Sequence, residues 1–67
     1  MTGDEVKERI EAIRATAQRH DEEVTHFMED TLYEDALRAI ADGADNAHEL
    51  AAETLKVLDL GLGRWYA

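Results

Sequence analysis

The stretch Ala17-Gln18-Arg19-His20-Asp21-Glu22-Glu23-Val24 decides the fold, because it either carries one helix through or turns it back. Behind it, Val6, Ile10, Ile13 and Ala17 are spaced 4, 3 and 4. Ahead of it, the same alternation lands on His20, Val24, Phe27 and Thr31. These eight positions keep one seven-residue pattern, and six of them are apolar, which is the signature of an amphipathic helix. The spacing predicts an unbroken helix over residues 3–30, about 40 Å long at 1.5 Å per residue. The rival is a hairpin that turns at Gln18-Arg19-His20-Asp21, with Asp21 as the next N-cap. No Gly or Pro marks that turn, and the pattern holds its phase across it, so the unbroken helix is the preferred reading.

Outward from there, Thr2-Gly3-Asp4-Glu5 has the form of a capping box and opens the first helix. Thr31-Leu32-Tyr33-Glu34 has the same form, placed where Tyr33, Leu37, Ile40 and Ala44 begin a different face. A second helix is therefore expected from Thr31 to Gly43, a natural left-handed C-cap. A third opens at Asp45 or Asn46 and is expected to bury Ala47, Leu50, Ala51, Thr54, Leu55 and Leu58, ending before Gly61. The tail holds Leu60, Leu62, Trp65 and Tyr66, too apolar to float in water, and should be mostly buried with Leu58. The fold class is all-α: a long amphipathic helix, a short helical hairpin and an apolar aromatic tail, in one domain of 67 residues.

Composition narrows the chemistry. With 45% hydrophobic residues and one Trp, the chain can fold, yet so short a domain buries too little surface to be strongly stable alone. There is no Cys, which excludes disulfides, thiolate zinc and thiol catalysis, and no Pro. No apolar run approaches a membrane span, and the acidic N-terminus is no secretory signal, so a cytoplasmic protein with no membrane association is expected.

The net charge of −9 is unevenly spread. Residues 1–20 balance, whereas residues 21–35 hold seven acids and no Lys or Arg. In a heptad frame with Ile10 at a and Ile13 at d, the seam is flanked by Lys7, Arg9 and Arg14 in its first half. Asp21, Glu23 and Asp30 flank the second half. Antiparallel pairing sets the basic half against the acidic half, which predicts a homodimer with Ile10 facing Phe27 and Ile13 facing Val24. A hairpin within one chain would bring the same halves together.

Few constellations could carry chemistry. Glu23-Val24-Thr25-His26 matches the Glu-x-x-His pair of di-iron bundles, but only one pair is present; a metal-binding oligomer is a minor alternative, and neither metal nor cofactor is expected. His20, at a seam position, reads as a wet polar layer, or alternatively as a pH-responsive one. Residues 37–51 have the small residues and turn glycine of a helix-turn-helix. Glu49 and Glu53 stand where a DNA reader would present bases, and the net charge repels phosphate, so no direct nucleic-acid binding is expected. There is no Gly-rich phosphate loop and no Ser at all. Glu22-Glu23 begins a Glu-Glu-x-x-Glu metal motif of helical pyrophosphatases, but position 26 is His and the second motif is missing. An enzyme is not expected.

The stretch from Asp30 to Gly43 (Leu32-Tyr33-Glu34-Asp35-Ala36-Leu37-Arg38-Ala39-Ile40-Ala41 at its centre) and the closing Arg64-Trp65-Tyr66-Ala67 resemble small acidic proteins of actinobacterial and actinobacteriophage genomes. Those often read Leu-Tyr-x-Asp-Val-Leu-Arg-Ala-Ile-Ala and end in Arg-Trp-Cys-Ala; here Ala36 replaces the Val and Tyr66 the Cys. The likeness covers about half the chain. It implies a bacterial cytoplasm, or the host cytoplasm for a phage protein, and brings no mechanism with it.

The expected function is that of a non-catalytic interaction protein that self-associates and binds a protein partner. The expected contact residues are Val6, Ile10, Ile13, Ala17, His20, Val24, Phe27, Leu60, Leu62, Trp65 and Tyr66. The alternative is an acidic nucleic-acid mimic that blocks a DNA-binding or defence protein.

Overall fold

The computed structural model describes residues 1–62. These form α1 (Gly3–Gln18), α2 (Glu22–Ala41), α3 (Ala47–Leu55) and a 3-10 helix (Lys56–Leu60) that continues directly from α3. Among the described residues there is no strand, and no helix is long and apolar enough to cross a membrane.

α1 begins as the capping box requires: the Glu5 amide donates to Thr2 Oγ1 at 3.1 Å, and Asp4 and Glu5 face the positive end of the helix dipole. Gly3 is buried there, and the Glu49 carboxylate occupies the space that a Cβ on Gly3 would fill. The Asn46 side-chain amide donates to the Met1 carbonyl at 3.2 Å, so the start of α3 is tied to the start of α1.

The helix over residues 3–30 does not form. α1 stops at Gln18, and His20 takes a left-handed conformation with φ of 61°. The Arg19 and His20 amides donate back to the Thr16 and Ala17 carbonyls at 3.1 and 3.0 Å. Asp21 then caps α2, its Oδ1 accepting from the Val24 amide at 3.3 Å. The rival hairpin is thus the one observed. Its reason is burial: a lone 40 Å helix would leave its apolar stripe wet, whereas folding back covers Val6, Ile10 and Ile13 within the chain.

No new helix starts at Thr31. α2 runs through it, and the Thr31 hydroxyl donates to the Phe27 carbonyl at 2.8 Å instead of capping. The phase break there marks a contest for the core along one rigid helix. Leu32, Ala36, Ala39 and Ile40 turn the C-terminal half inward, and the same face carries Thr25, Met28 and Glu29 into the interior. Val24 and Phe27 lie on the other side and are rotated out. α2 ends as expected at Gly43, φ 91°, with the Gly43 and Ala44 amides donating to the Ile40 and Ala39 carbonyls in a Schellman closure.

α3 packs against both α1 and α2, and the core is Val6, Ile10, Ile13, Leu32, Leu50 and Val57. Within α3, Leu50 and Thr54 are buried and Ala47 is half-buried, but Ala51 and Leu55, and Leu58 in the 3-10 helix, are exposed, contrary to expectation. Leu55 falls on the outer side of the α-helical wheel. Beyond it the 3-10 winding, at three residues per turn, aligns Val57 with Leu60 and leaves Leu58 outside. Leu60 and Leu62 are half-buried against the core. Trp65 and Tyr66 lie outside the described residues.

Candidate functional site

The seven contact residues read from the first part of the sequence, apart from the tail residues Leu60, Leu62, Trp65 and Tyr66, separate into three groups. Val6, Ile10 and Ile13 are spent inside the chain's own core, and Ala17 is half-buried. The apolar residues of the expected α1 seam are thus covered by the chain's own helices. His20 is exposed at the turn between α1 and α2. Val24 and Phe27 are the ones left open, with 43% and 70% of their surface accessible.

Phe27 stands at the edge of a groove between α1 and α2. Arg9, Ala12 and Ile13 line it from α1, and Phe27, Met28 and Thr31 line it from α2. α3 contributes nothing to it, so it lies on the side of the hairpin that the third helix leaves uncovered. Its volume of about 130 Å³ is close to that of the apolar cavities, about 150 Å³, that accept benzene. Ala12 and Thr31 are short, so another backbone can come close.

The acids of residues 21–35 do not form one uniform charged surface. Asp21 caps α2; Asp35 accepts from Arg9 at 2.9 Å; Glu34 pairs with Arg38 at 2.6 Å. Glu29 is almost wholly buried, with His26 Nδ1 3.3 Å from one carboxylate oxygen and the Tyr33 hydroxyl donating to the other at 3.1 Å. Glu22, Glu23 and Asp30 are exposed. Glu23 and Asp30 lie one helical turn before and after Phe27, so the apolar edge is bordered by negative charge.

The Glu23/His26 pair is not brought together as a chelate: His26 turns to Glu29. Among the described residues, no group of three or more His, Asp or Glu could hold a metal ion. A second, more polar cleft of about 490 Å³ runs from His20 and His26 to Asp59 and Leu62. Sequence reasoning missed the internal roles of Glu29 and Asp35. Asp35 was findable, since it sits on the helix face opposite the basic flank of α1. Glu29 was not, because an acid is the residue least expected in a core.

The sequence matches no family model, no curated protein and no solved structure.

Proposed function

We propose that this chain is a non-catalytic interaction protein that binds a protein partner through the outer face of α2. The observation that carries this is Phe27, 70% exposed beside Val24 at the edge of an apolar groove. Aromatic side chains are enriched at protein interfaces, and covering one contributes roughly 1.5–3 kcal/mol. The sequence resemblance implies a bacterial cytoplasm, or a host's cytoplasm for a phage protein, as the setting we propose. The α1 seam, already filled, argues for a single chain as the binding unit. Engagement of Asp21, Glu29, Glu34 and Asp35 within the chain weighs against phosphate mimicry, which needs a continuous array of open charges.

A photoreactive phenylalanine analogue at position 27 tests the reading in actinobacterial lysate. The expected result is a discrete protein adduct that excess wild-type chain suppresses and excess Phe27→Glu chain does not. Adducts that both chains suppress equally, or none at all, would overturn it.

A further inference from the structure

Resting on that reading, we infer that the occupant of the α1–α2 groove is a cationic amphipathic helix of the partner, seating one aliphatic side chain beside Phe27. The hairpin has two faces, and α3 covers one of them. The other offers an open groove lined by the short side chains of Ala12 and Thr31 between two helices, which is the seat an additional helix takes in a bundle. The groove, of about 130 Å³ and open on one side, has room for one aliphatic side chain against Phe27.

Charge selects the rest. Glu8 on α1 and Glu23 and Asp30 on α2 are exposed around this face, in a molecule of net charge −9, while Glu34 is paired with Arg38. The one base that lines the groove, Arg9, is neutralised by Asp35 at 2.9 Å. A helix carrying Lys or Arg on both sides of its apolar stripe meets complementary charge on both rims. A second copy of this chain meets its own acids, since its exposed α2 face has the same sign.

The probe is a synthetic 18-residue Lys/Leu amphipathic helix, titrated into isotope-labelled protein and followed by NMR. The expected shifts centre on Ala12, Ile13, Phe27, Met28 and Thr31. Phe27→Ala should weaken binding at least tenfold, and Glu8→Gln/Glu23→Gln several-fold, with the affinity falling as salt rises. A scrambled peptide of equal charge without an apolar face should bind as weakly to wild type as to Phe27→Ala. Equal affinity of the amphipathic peptide for wild type and Phe27→Ala would overturn the inference. So would concentration-dependent broadening at Phe27 without peptide, which would make a second copy the occupant. A position-27 adduct from lysate that this peptide fails to displace would sink the cationic helix while leaving the proposed function standing.

Discussion

Arg9 Nη1 donates to Asp35 Oδ2 at 2.9 Å, across 26 residues of sequence, and ties the middle of α1 to the middle of α2. One base of the first helix's flank thus meets an acid of the second helix inside one chain, and that acid lies outside the Asp21, Glu23 and Asp30 set expected to face it. Both side chains remain about a third or more exposed, at 32% and 44%. A double-mutant cycle with Arg9→Ala and Asp35→Ala should give a coupling of about 0.2–1 kcal/mol at low salt, shrinking as salt is added. No coupling at low salt would show that the pair does not form in solution.

His20 is expected to cost stability where it stands. A φ of 61° is the left-handed region, disfavoured for a residue with a Cβ and open to glycine. His20→Gly should raise the unfolding free energy by about 0.5–1 kcal/mol, the gain being trimmed by the greater freedom of glycine in the unfolded chain. His20→Val should lower it. A loss on His20→Gly would mean that the imidazole makes a stabilising contact that outweighs the backbone strain.

Leu32 and Ile13 belong to the same hydrophobic core and are almost fully buried. Truncating either to Ala should cost about 2–5 kcal/mol. At roughly 0.05–0.15 kcal/mol per residue, a domain this size has little more than that to lose. Far-UV circular dichroism of Leu32→Ala should therefore show a largely unfolded chain at 37 °C. A cooperative melt near that of wild type would place Leu32 outside the core.

Glu53 is the acid whose folded state responds to pH in a predictable direction. The hydrogen bond from Lys56 at 2.9 Å, aided by the charges of Lys56 and Lys7 and opposed by desolvation, holds its carboxyl below the ordinary carboxylate value. A lowered folded pKa contributes stability above the unfolded value, lost as pH falls through the folded one. Glu53→Gln should thus be less stable than wild type at pH 7, and the gap should close as pH falls through the lowered folded pKa of Glu53. A gap that persists in acid would point to packing as its cause.

How legible the fold was depends on the element. The caps at Thr2 and Gly43 and the end before Gly61 were readable because each is local chemistry: a side-chain acceptor or a left-handed glycine. The turn at His20 was not, since it uses a non-glycine residue in a glycine conformation and leaves no punctuation. The inward face of α2 was masked for a different reason. Its N-terminal half buries Thr25 and Glu29 while exposing Val24 and Phe27, so local hydrophobicity points the wrong way. The C-terminal half sets the rotation, and a rigid helix imposes it on every residue before it. The charge pattern marked Arg9 as a cross-helix base but not its partner: Asp35 takes it, not one of Asp21, Glu23 and Asp30.

The central claim is that Phe27 lies open on the free protein, available to a partner. Thermal unfolding of Phe27→Ser tests this most directly. With 70% of its surface exposed, its loss should change the unfolding free energy by no more than about 1 kcal/mol. A loss of about 3–5 kcal/mol, the range for a buried Phe, would contradict the account and return Phe27 to a seam within the folded protein.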